Sequence, residues 1–335
     1  MTRALVDIES TTNHEKNVGD YLFAHLSALA SRHNGRIERI AAEPNRDNIF
    51  ASWGEPAVTL STHMDTVPPF FASREDREFV WGRGSCDAKG IIAAMIAAAE
   101  NLLAAGTRNF GLLFVVGEER NSAGARAAAA TPRGSRFLIN GEPTENRLAL
   151  GSKGALRFEV TAQGKLAHSA YPEFGHSAIH TLLDVLNDIR QIPLPEDALL
   201  GRSTLNVGTI NGGRAPNVVA DHAEAEIMFR TVGDPAKLRE AVCAATAGRA
   251  EAREVLHTPA VQLSQFDGLP TTIVAFTTDI PTFDGAWGQP FLIGPGSIHV
   301  AHTAEERISK KELSAAVDIY ARMATQLLAT GRSSA

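Results

Sequence analysis

The chain has 335 residues, 44% of them hydrophobic and 21% charged, and a formal net charge of −6. That length favours two domains over one, because a single core rarely keeps growing beyond ~250–300 residues. An ordinary apolar share excludes wholesale disorder or a fibrous build, and without a basic surplus or a Lys/Arg tract there is no electrostatic footprint for nucleic acid.

The opening stretch, Met1 to Glu9, meets acidic and polar residues too soon to form the apolar run of a secretory signal. The most apolar later stretch, Ile91 to Ala99, is far shorter than the ~20 residues a membrane span needs. With only Cys86 and Cys243, a disulfide scaffold is excluded. The expectation is a cytoplasmic protein without a membrane partner.

In chain order, a helix is predicted over Lys16–Leu29, a strand over Val58–Thr62, a buried helix over Ile91–Ala104, and strands over Leu112–Val116 and Phe137–Ile139. Apolar strands alternating with Ala-rich helices indicate an α/β domain with a largely parallel sheet. From about Ser152 the pattern changes. Strand Leu156–Ala162, helix Ser177–Arg190, strands Thr204–Ile210 and Val218–Phe229, helix Pro235–Ala247 and a strand near Arg253–Val255 make a split α+β, ferredoxin-like unit with an antiparallel sheet. A short strand at Phe291–Ile293 and a closing helix from Ser309 to about Leu328 return to the first pattern. The simplest organisation is an insertion: residues 1–152 and 263–335 form one domain, interrupted by 153–262.

The chemistry-bearing residues sit where the predicted strands end, the place where open α/β sheets put their ligand sites. His63-Met64-Asp65 follows the first strand, and a carboxylate two residues on can accept the imidazole's other N–H. Gly82 to Gly90 is a glycine-rich turn that presents Asp87 just before the Ile91 helix. Strand Leu112–Val116 runs into Gly117-Glu118-Glu119, adjacent acids that repel unless neutralised, and strand Phe137–Ile139 runs into Asn140-Gly141-Glu142. The late turn Gly294-Pro295-Gly296-Ser297-Ile298 leads to His299 and His302. Two histidines with several carboxylates at strand ends suit a pair of Zn²⁺ ions bridged by one acid, for which Asp87 is the natural candidate. The Gly294–Ile298 turn is either a tight loop or an anion-binding concavity of backbone N–H groups at Gly294, Gly296 and Ser297, suited to a substrate carboxylate.

The set His63-x-Asp65, Gly84-x-x-Asp87-x-Lys89-Gly90, Glu118-Glu119, Glu142-Pro143-Thr144 and Ala301-His302-x-x-x-Glu306 resembles the zinc deacylases and carboxypeptidases that include acetylornithine deacetylase, succinyl-diaminopimelate desuccinylase and carboxypeptidase G. The resemblance implies a di-zinc aminopeptidase-like catalytic domain with an inserted lid and dimerisation domain. It further implies that His63 and Glu142 hold one zinc, Glu119 and His302 the other, and Asp87 both, with Co²⁺ able to substitute. Glu118 would be the general base and Asp65 would orient His63. The peptide bond after Asp87 would be cis. The stretch Gly164 to Pro172 resembles the family's lid loop, which makes His168 the group that polarises the scissile carbonyl, with Asn217 assisting and the active form a homodimer. Arg230 matches a family arginine able to fork onto a substrate carboxylate, although Met228 stands where relatives often carry an acid.

The run Thr277-Thr278-Asp279-Ile280-Pro281, with the Gly294–Ile298 turn and Ala301-His302, looks most like acetylornithine deacetylase. The implied reaction is therefore removal of acetate from an N-acyl amino acid. A succinyl-diaminopimelate desuccinylase, a dipeptidase or carboxypeptidase acting on a dipeptide, and a non-catalytic binding protein are the alternatives.

Overall fold

Two runs, Val58–His63 and Phe110–Val115, are buried at every position, which a strand achieves only when both faces of its sheet are covered. In the computed structural model, which describes residues 1–330, they are neighbours at the centre of a sheet in the first of two units. That unit comprises Met1–Leu150, Leu263–Thr272 and the chain from Thr278 onward. Its strands are β1 (Arg36–Glu43), β2 (Arg46–Trp53), β3 (Val58–His63), β4 (Phe110–Val115), β5 (Phe137–Asn140), β6 (Leu148–Ser152, of which Gly151 and Ser152 already belong to the second unit) and β7 (Gln289–Leu292). They lie in the order β1-β2-β4-β3-β5-β7-β6.

The sheet is mixed. Pairs β4/β3, β3/β5 and β5/β7 are parallel, whereas β1/β2, β2/β4 and β7/β6 are antiparallel. The parallel character expected from the sequence thus belongs to the centre. The β1–β2 hairpin was not anticipated, because β1 buries little more than Ile40 and its charged residues hide the period of a half-exposed edge strand.

Alternation along β4 shows how the layers form. Leu112 and Phe114 face a core shared with helices Lys16–Arg32, Lys89–Ala104 and Lys310–Thr330, while Leu113 and Val115 face a second cluster under helix Ala123–Ala130 with Phe283 and Trp287. Helix Lys89–Ala104 is buried almost all round, which accounts for its lack of a polar face.

The second unit comprises Gly151–Gln262 and Ile273–Thr277. Its four-stranded antiparallel sheet has the order Thr204–Gly212, His222–Thr231, Gly154–Gln163, Glu251–Thr258. Leu156, Phe158 and Val160 alternate inward with Ala225, Ile227 and Phe229 against Leu182, Val185 and Ile189 of helix Ala178–Arg190 and Val242 of helix Ala236–Thr246. The longer first helix begins at Ser177, whose hydroxyl accepts the His180 N–H at 3.3 Å. Among the described residues no helix is long and apolar enough to cross a membrane.

Because Leu112 is fully buried in the central strand, Leu112→Ala should lower the unfolding free energy of the first unit by about 2–5 kcal/mol. Urea denaturation checks this, and a change below about 1 kcal/mol would contradict the packing just described.

Candidate active site

Strand order creates the site. β4 lies on one side of β3 and β5 on the other, so their connections diverge and leave a crevice beyond the carboxyl ends. His63 is the last residue of β3. β4 is followed by Val116 and then by Gly117, whose φ of 78° lets the chain turn sharply into Glu118 and Glu119; a side chain there would meet the Arg46 guanidinium at 2.8 Å. Glu142 follows two residues after the end of β5.

Asp87 occupies the middle of the cluster, with one oxygen toward each histidine. His63 Nε2 is 2.9 Å from its Oδ1 and His302 Nε2 is 3.3 Å from its Oδ2. On the first side, Glu142 Oε2 is 4.0 Å from His63 Nε2; on the second, Glu119 Oε1 is 3.0 Å from His302 Nε2. One donor atom each from His63, Asp87 and Glu119 falls within 4.8 Å of the others. Glu142 Oε1 is buried and has no hydrogen-bond partner among the described residues. Such a convergence of imidazole and carboxylate, with an orphaned oxygen among them, fits divalent cations of the Zn²⁺ type.

The turns that present these groups are held from behind. Glu306 lies four residues after His302 and is 1% exposed. It pairs with buried Arg83 and accepts the backbone N–H groups of Cys86 and Asp87 at 3.2 and 3.1 Å. The Asp87–Ala88 peptide is cis. His63 Nδ1 lies 3.0 Å from the backbone carbonyl of Asp65, so this nitrogen carries the proton and Nε2 faces the cluster. The Asp65 carboxylate is farther away, at 3.5 Å, and instead accepts the N–H groups of Glu118 and Glu119 at 3.1 and 3.2 Å. The Asp65 side chain, expected to orient His63, also anchors the Glu118–Glu119 turn, and the peptide carbonyl of the same residue lies closer to the ring.

With protein groups alone as neighbours, the carboxyls compete for charge. Burial and then repulsion from Glu142 push Glu118 well above the ordinary carboxyl range. Burial also raises Glu142 and Glu119, reinforced in each by Asp87. Burial opposes ionisation of Asp87 as well, but hydrogen bonds from His302 and His63 outweigh it and hold this acid well below its usual value. Those contacts push His302 up to about 10. Asp279, missed as a site neighbour in the sequence, is pushed by burial to about 6.

Of the two late histidines, His302 reaches the cluster and His299 is exposed. Two of the N–H groups expected to form an anion-binding concavity at Gly294, Gly296 and Ser297 already have partners within the chain. The Gly294 N–H is taken by the Thr144 hydroxyl at 3.0 Å and the Gly296 N–H by Glu312 at 2.7 Å; Pro295 has none, and Ser297 pairs with Thr144 in a β-bridge. These glycines serve close packing: a Cβ would come within 2.5 Å of the Glu142 carbonyl at Gly294 and of the Cys86 sulfur at Gly296. Cys86 itself is buried packing, its thiol 3.5 Å from the Ser297 carbonyl.

His168, Asn217 and Arg230 belong to the second unit. His168 and Asn217 are exposed and their loops are joined, with a β-bridge between His168 and Val218 and the Ser169 N–H donating to the Asn217 carbonyl at 3.0 Å. Arg230 lies on the strand next to Ala155 and is half-buried.

Residues 59–326 match the description of peptidase family M20/M25/M40. A peptidase M20 domain-containing protein of Schizosaccharomyces pombe is 38% identical, covering 96% of this chain and 82% of its own. An Aspergillus terreus protein named "Probable carboxypeptidase" is 36% identical over 96% and 84%. The fold is similar to that of an M20 family metallo-carboxypeptidase from Sulfolobus solfataricus, with a TM-score of 0.78 at 16% identity, covering 97% of this chain and 98% of the other. A matched family description over most of the length, relatives well above 30% identity and a cluster fit for metal together place this chain in peptidase family M20, as a metal-dependent hydrolase.

Proposed function

We propose that the protein is a two-metal carboxypeptidase or dipeptidase, which hydrolyses an amide bond beside a free carboxylate. The observation that carries this is the placement of Asp87, one oxygen toward His63 with Glu142 and the other toward His302 with Glu119. In this reading His63 and Glu142 would hold one Zn²⁺, His302 and Glu119 would hold a second, and Asp87 would serve both. Bound there, such ions would supply Lewis acidity to the scissile carbonyl and to a water.

Glu118 is the general base. Its carboxyl has no metal-ligand role in this arrangement, and it stands beside the cluster, placed to take a proton from the attacking water and pass it to the leaving amine nitrogen. His168, assisted by Asn217, donates a hydrogen bond to the carbonyl oxygen as negative charge grows on it. Arg230 receives the substrate carboxylate, and the second unit carries the contact of a homodimer.

A peptide substrate is favoured over an acetylated or succinylated amino acid by the names of relatives, which include carboxypeptidases at 36 and 37% identity. The Thr277–Pro281 run that suggested a deacetylase places Asp279 in the interior, 1% exposed. A panel of N-blocked dipeptides with free C-termini, N-acetylornithine and N-succinyl-diaminopimelate tests this with the Zn²⁺-loaded protein. Free amino acid released from the dipeptides is the expected result. Release of acetate or succinate alone would make it a deacylase, and no release from any substrate would point to a binding protein.

Two variants test the residue roles. Glu118→Gln should retain both metals by elemental analysis and lose about 10²–10⁴-fold in kcat; undiminished turnover would remove Glu118 as the base. Glu306→Ala strands the buried Arg83 charge and releases the Asp87 turn. It should cost about 3–5 kcal/mol of stability and shed metal to a chelator faster than the parent, whereas unchanged metal retention would show that the turn holds itself.

A further inference from the structure

Residues 8–15 precede the part of the chain that matches the family description, yet they run along the back of the site. The Thr66 N–H donates to the Ser10 carbonyl at 3.0 Å, the Thr12 N–H returns to the Thr66 carbonyl at 3.2 Å, and the Ser10 hydroxyl donates to the Met64 carbonyl at 2.8 Å. The fully buried Lys89 ammonium fixes the start of this strap at the Ile8 carbonyl, 2.6 Å away. Stitched this way, the strap delivers the Thr12 hydroxyl to Asp65 Oδ2 at 2.8 Å.

Asp65 is wholly buried. Its oxygens accept the Glu118 and Glu119 amides and the Thr12 hydroxyl. The hydroxyl comes from outside the site's own turns. A buried carboxylate deprived of a donor shifts to recover one, and any shift of Asp65 moves the two amides bonded to it. The consequences for the two acids differ. Glu119 and the other proposed ligands would also be gripped through the cations they hold, whereas Glu118, outside that set, depends on its backbone for its placement. We propose that Thr12 is a positioning residue for Glu118, bracing the general base through Asp65; this rests on the reading of Glu118 as the base.

The test uses the full chain, loaded with Zn²⁺, as Thr12→Val and Thr12→Ser, with Thr12→Ala in place of valine should the added methyl disturb folding. Hydrogen exchange read by mass spectrometry should show the Glu118 and Glu119 amides exchanging about ten-fold faster in the valine variant, with the rest of the molecule unchanged. On the best-cleaved blocked dipeptide, kcat should fall about ten-fold while KM stays within about two-fold and the metal content holds. Thr12→Ser, which keeps the donor, should match the parent in all three. Unaltered exchange at these two amides in the valine variant, or a serine variant as impaired as valine, overturns the inference. Turnover surviving in Glu118→Gln would sink the general-base reading separately, and the exchange result would stand apart from it.

Discussion

Mutual repulsion among buried carboxyls is the constraint on which this structure turns. Asp87, Glu119 and Glu142 crowd round two imidazoles, with Glu118 beside them, and burial raises the cost of ionising each. In low-dielectric surroundings two like charges about 4 Å apart repel by several kcal/mol. Two histidines cannot neutralise so many acids, and the cluster relieves itself by drawing Asp87 onto both rings while the glutamates are pushed toward the neutral form. Added positive charge would let all of them ionise together, which is why such a cluster suits metal ions.

The acids divide into two kinds by what donates to them. Asp65 and Glu306 are as deeply buried as any residue in the cluster, yet each accepts several hydrogen bonds: two amides and a hydroxyl on Asp65, two amides and the Arg83 guanidinium on Glu306. Glu142 keeps an oxygen with no partner among the described residues. Satisfied carboxylates hold turns in place, and an unsatisfied one is available to a ligand. The division lets a single fold hold a strongly repulsive cluster: the satisfied acids fix the backbone of the turns whose side chains the repulsion would otherwise drive apart.

Much of this was legible in the sequence because the chemistry falls at strand ends. Val58–His63, Phe110–Val115 and Phe137–Asn140 are apolar runs broken by polar residues, and each break supplies a histidine or acid that the structure brings to the crevice. Long buried helices were equally plain, since an apolar run such as Ile91–Ala99 has few other uses. The β1–β2 hairpin escaped because Arg36–Glu43 is an edge strand whose charged side chains lie against solvent. Nothing in its local pattern shows that β2, buried behind it, pairs antiparallel with Phe110–Val115.

Within the site, donor types were readable and donor occupancy was not. Asp65 followed His63 at a spacing that suits an imidazole, but the peptide carbonyl of the same residue reaches the ring more closely, at 3.0 against 3.5 Å, and frees the carboxylate for the Glu118–Glu119 amides. The Gly294–Ser297 turn offered glycines of the kind that make anion cradles, yet a threonine and a glutamate from remote segments already accept from the Gly294 and Gly296 N–H groups. Glu306 could be read as a motif position, and its partnership with Arg83, 223 residues earlier, could not. Whether a backbone N–H is left free for a ligand is decided by tertiary partners, which local spacing does not encode.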